Sequence, residues 1–351
     1  MKTILLRVDS RKPDLAKIRK AAEIIRNGGL VAFPTETVYG LGADAFNEKA
    51  VLKLFRAKKR PLDNPPIVHI CCLEQLQILA RNIPSNAKLL TQKFWPGPLT
   101  LIFNRSKELP DVTVAGLDTV AIRMPRHRIP LILIRESKVP IAAPSANLAG
   151  RPSPTTAQHV LDDITGRIDA VLDAGSTRIG VESTVLDLTA YPPQVLRPGG
   201  ITFEELKTVL GNVILNPAVF AEKNLNVEKA RSPGMKHKHY APKAEIILIE
   251  GSIQAITTKI KEVSNRYARR GLKVGILVTD ETHNEYENRV VKSLGSRKDP
   301  NQMARNLFRL LREFDLEGIE VILAEGIPIE GLGLAIMNRL RRASGNRILR
   351  L

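Results

Sequence analysis

The 351-residue chain is poor in cysteine and in aromatic residues: it has two cysteines, one tryptophan and an aromatic content of 4%. Cys71 and Cys72 are neighbours in a predicted strand, where consecutive side chains point to opposite faces, so we expect no disulfide between them and no cysteine-based metal site. The scarcity of aromatics argues against a stacking platform for single-stranded nucleic acid. A reducing compartment, the cytoplasm, fits this composition.

Long hydrophobic runs are missing as well. No apolar stretch approaches the ~18 residues that span a bilayer, and the N-terminus lacks the apolar core of a signal peptide. The hydrophobic content of 43% and charged content of 25% are those of an ordinary soluble globular protein. We therefore expect no membrane association, and the length predicts two domains.

Several familiar catalytic motifs are also absent from the sequence. There is no Gly-x-x-x-x-Gly-Lys-[Ser/Thr] loop, which excludes the Walker type of ATP site. There is no serine–histidine–aspartate context and no cysteine paired with a base. The segment Gly331-Leu-Gly333 is too weak a pattern to indicate a dinucleotide site.

Positive charge is what the chain has in excess. Its formal net charge is +17 and its isoelectric point is near 10. This favours a polyanionic partner, either nucleic acid or a nucleotide, although general solvation gives the same excess. The basic residues are spread over the whole chain, so charge alone leaves both readings open.

The pattern along the chain predicts two α/β domains. Residues 1–211 read as a mixed domain in which short helices, strands and proline-rich turns alternate, beginning with a helix over 14–27 and a strand over 30–34. Residues 212–243 lose this periodicity and read as an interdomain linker. From 244 to 351, strands alternate with helices, which predicts a smaller, Rossmann-like parallel sheet.

Polar residues gather in three segments of the first domain, at 33–42, 57–65 and 143–147, each beside the end of a predicted strand or helix. In open α/β sheets ligands bind at such strand ends. Hydroxyls, amides, Lys58 and Arg60 together predict a small-molecule site rich in phosphate-binding groups.

Each of these residues also has a structural explanation. Lys58 and Arg60 are cations at a helix C-terminus, which is favourable in itself. Thr37 suits a strand, and His69 lies in an apolar strand where core histidines are common. Arg123 stands out, because a buried guanidinium needs an anion, and a substrate carboxylate would serve. A turn would equally explain Ser145 and Asn147, and a strand cap would explain Ser183.

These segments carry a specific resemblance. In the same order along the chain, residues 10–210 are similar to the YrdC-like family of threonylcarbamoyl-AMP synthases, through Phe33-Pro-Thr-Glu-Thr-Val-Tyr-Gly-Leu-Gly42, Ala57-Lys-Lys-Arg-Pro61, Asn64-Pro65, Ile67-Val-His69, Trp95-Pro-Gly-Pro-Leu-Thr100, Ile122-Arg-Met-Pro125, Ala143-Pro-Ser-Ala-Asn147, Ser153-Pro-Thr155, Ser183-Thr-Val185 and Leu196-Arg-Pro-Gly199. The segment 232–242 and the second domain resemble the long form of the family. Two positions depart from the usual pattern: Lys59 stands where glycine is usual, and Pro66 where leucine is usual.

The resemblance implies a YrdC-like twisted sheet with a concave cleft and a defined reaction. L-threonine, bicarbonate or CO2, and ATP would give threonylcarbamoyl-adenylate and pyrophosphate for the threonylcarbamoyladenosine modification of tRNA, with Mg2+ bound through the ATP phosphates. Threonine would be held by Thr37, His69, Arg123, Ala143 and Ser183. The nucleotide would be held by Lys58 and Arg60, as the catalytic cations, and by Asn64, Thr119, Ser145, Asn147, Ser153, Arg197, Ser232 and Tyr240.

Two further expectations follow from the resemblance. The linker residues from Ser232 to Tyr240 would lie across the cleft as a lid, and the product would pass to tRNA or to a downstream transferase complex. The alternative is a protein that binds double-stranded RNA or tRNA without chemistry. The neutral positions Thr37, Asn64 and Ser183 favour the enzyme, because a purely electrostatic surface would not require them.

Overall fold

The computed structural model describes residues 2–220, 239–286 and 289–351. These residues divide into two compact units. The first holds the described residues of Met1–Ala149 and Ser153–Val219, and the second holds those of Gly150–Pro152 and His237–Leu351.

The helices of the first unit are short and end at recognisable caps. The Asp14 side chain accepts hydrogen bonds from two backbone N–H groups at the start of the first helix, and Ile18, Ala22 and Ile25 form its buried stripe. The seven helices are α1 (Leu15–Arg26), α2 (Glu48–Lys58), α3 (Glu74–Leu79), α4 (Asn86–Phe94), α5 (Arg128–Ser137), α6 (Ala157–Ile164) and α7 (Phe203–Leu210).

A twelve-stranded mixed sheet forms the centre of the first unit. Its strands are β1 (Ile4–Arg7), β2 (Val31–Phe33), β3 (Gly40–Asp44), β4 (Ile67–His69), β5 (Ala80–Arg81), β6 (Leu99–Arg105), β7 (Thr119–Arg123), β8 (Ile141–Ala143), β9 (Ala170–Asp173), β10 (Thr184–Asp187), β11 (Gln194–Arg197) and β12 (Ile214–Leu215). Their order is β1-β9-β2-β3-β8-β4-β7-β6-β10-β11-β12, with β5 paired to β6. The sheet contains both parallel and antiparallel pairs, and most of its strands are buried on both faces.

The structure corrects one predicted strand. The strand expected over Ile67–Cys72 ends at His69, because Ile70 leads into a bend before α3. Cys71 and Cys72 therefore lie outside any strand, and the alternation of side chains does not apply to them. Both are free thiols.

The segment after α7 also differs from its expected character. Ile214–Leu215 pairs with Gln194–Val195 as the last strand of the sheet, and a short 3-10 helix follows at Pro217–Val219. Residues 212–219 therefore belong to the first unit, and most of the remaining predicted linker lies outside the described residues.

The second unit is built on a five-stranded sheet whose strands are all parallel, as its alternating pattern predicted. The strand order is β15-β14-β16-β13-β17. The strands are β13 (Glu245–Glu250), β14 (Val274–Val278), β15 (Val290–Ser293), β16 (Val321–Glu325) and β17 (Ile348–Arg350), and the helices are α8 (Ile253–Arg269), α9 (Pro300–Leu316) and α10 (Gly333–Ala343).

The helices of the structure are amphipathic rather than apolar all round. Within the described ranges, none combines the length and the hydrophobicity that crossing a bilayer requires.

Candidate active site

The turn between β2 and β3 organises the polar residues of the first unit. Thr35 Oγ1 accepts hydrogen bonds from the backbone N–H groups of Thr37 (3.1 Å) and Val38 (3.2 Å), and it donates to the carbonyl of Val38 (2.7 Å). A hydroxyl residue before a tight turn thus supplies partners that the strand can no longer offer. The turn is buried, with Thr37 fully inaccessible to solvent.

This turn also joins three distant segments of the chain. Tyr39 donates its backbone N–H to the carbonyl of Pro154, and its carbonyl accepts from Ala146, both at 2.8 Å. The carbonyls of Glu36 and Thr37 accept from Ile179 and Gly180, at 2.9 and 3.1 Å. The segments near 145, 153 and 180, which the sequence alone could not place together, therefore meet at one turn.

Arg123, at the end of β7, is buried against this turn. Its Nη1 donates to Thr37 Oγ1 (2.9 Å) and its Nε to the carbonyl of Gly97 (3.1 Å). Nη2 lies 2.7 Å from Glu36 Oε1, with both side chains about 5% exposed. The buried guanidinium has the anion that burial requires, and that anion is Glu36.

The ion pair between Arg123 and Glu36 is close but poorly aligned. Despite the 2.7 Å separation, Nη2 and both Glu36 carboxylate oxygens are buried without a hydrogen bond to any described residue. A buried, charged oxygen without a hydrogen bond is costly. Glu36 is absent from the site residues that the sequence predicts. Its position between two threonines of the 33–42 motif could have indicated a role in the site.

His69 lies beside Arg123 because β4 and β7 are parallel neighbours in which these two residues are register partners. The ring is buried, and its Nδ1 lies 3.2 Å from the carbonyl of Ile67. Burial and then the positive charge of Arg123 lower the pKa of His69 to about 3. The imidazole is therefore neutral at physiological pH.

Ser183 forms a second polar cluster, on the other side of β6. Its hydroxyl lies 2.7 Å from that of Thr100, and it accepts from Arg197 Nη2 at 3.1 Å. Arg197 also donates to the Ser183 carbonyl from Nε and Nη2. The neighbouring carboxylate of Glu182 accepts from the Ser153 hydroxyl at 2.6 Å, which links three of the predicted nucleotide and threonine residues.

The close approach of two chain segments fixes this cluster. A Cβ at Gly199 would lie 2.3–2.4 Å from the backbone of residues 182–184. Only glycine allows the Arg197–Gly199 segment to approach so closely, and that approach places the guanidinium on the Ser183 carbonyl.

The cations at the end of α2 donate to backbone and amide oxygens of the neighbouring polar segments. Lys58 Nζ donates to the carbonyls of Ser145 and Asn147. Arg60 donates from Nε to the Asn64 carbonyl (2.8 Å) and from Nη2 to Asn64 Oδ1 (2.7 Å). Both side chains are buried, and these hydrogen bonds fix the positions of both cations. The helix-dipole explanation of these cations does not account for such burial.

The remaining predicted residues are placed as follows. Ser145 donates to Asn147 Oδ1 at 2.5 Å, and Ala143 ends β8 opposite Ile67. Thr119 is half-buried at the opposite end of β7 from Arg123, about 13 Å away at ~3.3 Å per residue. No described contact joins Thr119 to the other site residues.

Of the two linker residues that are predicted to bind the nucleotide, the structure describes only Tyr240. Ser232 and most of the expected lid lie outside the described residues. Tyr240 is buried in the second unit, where its ring stacks on Phe308 with centroids 5.3 Å apart and lies 5.5 Å from the Arg339 guanidinium carbon. Its role in nucleotide binding stays a prediction.

Comparison with known proteins agrees with this architecture. A family model described as telomere recombination, Sua5_yciO_yrdC, matches residues 23–199, and one described as threonylcarbamoyl-AMP synthase, C-terminal domain, matches residues 201–345. The threonylcarbamoyl-AMP synthase of Pyrococcus abyssi is 51% identical over 99% of this chain and 100% of its own length. The chain belongs to the threonylcarbamoyl-AMP synthase family.

Other members of the family support the same assignment. The threonylcarbamoyl-AMP synthase of Bacillus subtilis is 49% identical, covering 95% of this chain and 94% of its own. The crystal structure of P. abyssi Sua5 complexed with L-threonine aligns with a TM-score of 0.94 at 51% identity, over 99% of this chain and all of that one. The predicted family and fold class are confirmed.

Proposed function

We propose that the chain makes threonylcarbamoyl-AMP and pyrophosphate from L-threonine, bicarbonate or CO2, and ATP. The names of its full-length relatives confirm the predicted activity, so the chain is an enzyme of the nucleotidyltransferase type that uses ATP and threonine. The threonine bound to the solved P. abyssi relative supports threonine as a substrate.

One observation in the site carries the threonine assignment. Arg123 Nη2 and the Glu36 carboxylate are buried side by side, and neither completes a hydrogen bond. An amino-acid zwitterion supplies both missing partners, a carboxylate for the guanidinium and an ammonium for the glutamate. Thr37, His69, Ala143 and Ser183 complete the threonine subsite in this proposal.

The chemistry needs positioning more than a protein nucleophile. The bound threonine ammonium first releases a proton to water. The neutral amine then forms a C–N bond to CO2 and releases a second proton to water, which gives a carbamate. A carbamate oxygen then attacks the α-phosphorus of ATP, the bond between the α-phosphorus and its bridging oxygen breaks, and pyrophosphate leaves. Holding the two reactants in line supplies most of the rate enhancement in such a transfer.

Lys58 and Arg60 are the groups we assign to the phosphates. Their side chains are buried and donate to carbonyl and amide oxygens of the polar segments, which fixes both cations in the site. Fixed cations aimed at developing phosphate charge stabilise the transition state without reorganisation. Asn64, Thr119, Ser145, Asn147, Ser153, Arg197, Ser232 and Tyr240 complete the nucleotide subsite in this proposal.

Mg2+ enters with ATP as part of the substrate complex. The described residues contain no group of three His, Cys, Asp or Glu side chains placed to hold a metal ion. In this proposal the ion is held by the ATP phosphate oxygens and water, the usual form of nucleotide-bound Mg2+.

We further propose that the product serves tRNA modification in the cytoplasm. The two free thiols support a reducing compartment. The net charge of +17 supports direct contact with tRNA or with a downstream transferase complex. Binding of tRNA that falls steeply between 50 and 200 mM salt, roughly a thousand-fold or more, would support direct contact.

The activity is tested by pyrophosphate release with each substrate omitted in turn. We expect release to require ATP, threonine and bicarbonate together, because the carbamate is the nucleophile. Equal release without threonine would contradict the reaction. Tight tRNA binding without any ATP turnover would instead favour the non-catalytic alternative.

A further inference from the structure

A cavity of about 260 Å3 lies at the carboxyl edge of the five-stranded sheet, outside the proposed active site. It opens between the ends of β13 and β16, and its wall includes Glu250, Arg297, Gly326, Met337 and Arg341. None of these residues belongs to the first unit, where threonine and ATP are proposed to bind.

The topology makes this edge a place where ligands bind in α/β sheets. From β13 the chain crosses β16 to reach β14, whereas from β16 it crosses β13 to reach β17. Because such crossovers are right-handed, the connections leave in opposite directions and their helices, α8 and α10, cover opposite faces. A crevice therefore opens between the carboxyl ends of β13 and β16, at the topological switch point.

Arg297 lines this cavity, and protein groups bind only part of its guanidinium. Nε donates to Thr279 Oγ1 and Nη2 to the Gly326 carbonyl, both at 3.1 Å, and Nη2 lies 3.5 Å from the fully buried Glu325 carboxylate. Glu325 is itself fixed by the Thr279 N–H (3.1 Å) and the Tyr286 hydroxyl (3.0 Å). Nη1 makes no hydrogen bond to any described residue.

Arg341 is held in the same way from the opposite wall. Its Nε and Nη2 donate to the two oxygens of Glu250 at 2.8 and 3.1 Å, a bidentate pair. Its Nη1 likewise lacks a partner within the described ranges. Each of the two guanidiniums is thus fixed through its Nε and Nη2 atoms, and each has an Nη1 group that can donate to a ligand.

The glycines of the wall have a packing explanation and do not themselves point to a ligand. A Cβ at Gly326 would lie 3.0 Å from the Ile249 carbonyl, and one at Gly251 would lie 3.1 Å from the Leu351 side chain. The side chains supply the chemistry instead. Ile327 and Met337 add an apolar surface, and Met337 is fixed by the Ile327 N–H, which lies 3.3 Å from its sulfur.

The two guanidiniums of the wall favour an anion, because each has an Nη1 group without a hydrogen bond to any described residue and such a charged donor has no acceptor capacity of its own. We propose that this cavity binds a small phosphomonoester, with its phosphate on the Nη1 groups of Arg297 and Arg341 and its organic part against Ile327 and Met337.

Methionine methyl groups allow the two sites to be observed separately in the full-length chain. There are five methionines. Met337 lines the cavity, Met124 follows Arg123 in the first unit, and Met303 is buried in α9. With 13C-methyl methionine, AMP should shift the Met337 resonance saturably, inorganic phosphate should do so at higher concentration, and adenosine should leave it unchanged.

Two variants and one control test the residues. Arg341→Gln should weaken AMP binding at Met337 roughly ten- to a hundred-fold, the effect of a lost charged hydrogen bond. Ile329→Trp changes an exposed residue of the cavity wall and should block the cavity without disturbing the core. Arg266→Gln, an exposed site near the end of α8 at the opposite edge of the sheet, should bind AMP normally.

Each outcome decides the proposal. A saturable shift of Met337 that both cavity variants weaken, and the Arg266 variant preserves, supports it. A shift of Met124 alone overturns it, as does adenosine acting as strongly as AMP, because recognition would not depend on phosphate. If Arg341→Gln does not fold, unchanged AMP affinity of Ile329→Trp still overturns the proposal.

Discussion

Arginine is used differently in the two units of this chain. In the mixed sheet, Arg123 is about 4% exposed, and all three of its guanidinium nitrogens lie against protein groups, including the carboxylate of Glu36. In the parallel sheet, Arg297 and Arg341 are 15% and 19% exposed, and each is bound along one edge only. Each arrangement has a guanidinium nitrogen without a hydrogen bond to a described residue, but that nitrogen is buried in Arg123, whereas Arg297 and Arg341 are partly exposed to solvent.

This difference separates the contribution of an arginine to stability from its contribution to binding. A buried ion pair adds little net stability when intact, but removing one partner leaves an uncompensated buried charge. The Arg341–Glu250 pair, at 19% and 16% exposed, should lose less, because water can reach the remaining carboxylate in part. Substitution of Arg123 should therefore affect folding and ligand binding together, whereas substitution of Arg341 should affect stability less.

The largest effect is expected from Arg123→Gln. The variant leaves Glu36 buried without its cation, so the free energy of unfolding should fall by about 3–5 kcal/mol. Threonine affinity should fall at least roughly ten-fold through the lost charged hydrogen bond. Urea denaturation and calorimetric titration with threonine measure the two effects.

A double variant sharpens the interpretation of that result. Glu36→Gln in the Arg123→Gln background removes the stranded carboxylate and should restore most of the stability, but not threonine binding. Stability that stays low in the double variant would show that the loss comes from packing rather than from the buried charge. Unchanged threonine affinity in Arg123→Gln would exclude its carboxylate role.

A smaller and more selective effect is expected from Arg60→Ala. Its guanidinium donates to the Asn64 carbonyl and to Asn64 Oδ1, and in the proposed site it also binds the ATP phosphates. We expect the KM for ATP to rise roughly ten- to a hundred-fold with little change in threonine affinity. Arg56→Ala, an exposed cation one turn earlier on α2, is the matched control. Normal turnover of Arg60→Ala at low ATP would contradict the phosphate role.

The sequence predicted those parts of the fold that depend on local periodicity. The helical spacing of Leu15, Ile18, Ala22 and Ile25 predicts α1, and the alternation of strands and helices after residue 244 predicts the second sheet; the structure has both. Within the stripe Leu15 is the exception, because it is the first residue of α1 and is 45% exposed. Local patterns do not specify which distant segments pair. Two residues are too few to show a strand periodicity, so the sequence predicts a linker at Ile214–Leu215. Only the pairing with Gln194–Val195 makes these residues the strand β12.

The site was predictable to the extent that its residues lie in contiguous motifs. Thr37, Lys58, Arg60 and Ser145 stand in such motifs, and the turn after β2 brings most of these segments together. Glu36 was missed as a partner of Arg123 because the pair is 87 residues apart and depends on the register of the sheet. The cavity between β13 and β16 has no motif at all, since it arises from strand order.

A pH-dependent effect of intermediate size distinguishes the buried site from exposed positions. The pKa of His69 is about 3 in the folded chain and about 6.5 in an unfolded one, so the unfolded state binds the additional proton between these values. The contribution of His69 to the free energy of unfolding is at its maximum above pH 6.5. It falls as the pH decreases, by at most about 1.4 kcal/mol per pH unit.

The measurement compares variants between pH 7.5 and 4.5. His69→Gln should lower the slope of unfolding free energy against pH relative to the parent chain, by roughly one proton. His283→Gln, at an exposed histidine of the second unit, should leave that slope unchanged. An identical slope in the parent and in His69→Gln would show that His69 titrates normally and is not sealed from water.

The smallest expected effect concerns Lys59, which ends α2 in the left-handed conformation with φ of 51°. A side chain there costs about 1 kcal/mol, and glycine, the usual residue at this position in the family, avoids that cost. Lys59→Gly should therefore raise the free energy of unfolding by up to about 1 kcal/mol, in part offset by the flexibility of glycine in the unfolded chain.

Asn346, with φ of 67° in the second unit, is the matched comparison. Because asparagine tolerates this conformation, Asn346→Gly should raise the free energy of unfolding by less. Equal gains at both positions would mean that relief of left-handed strain is not the cause. A loss of activity in Lys59→Gly would show instead that Lys59 acts directly on the nucleotide.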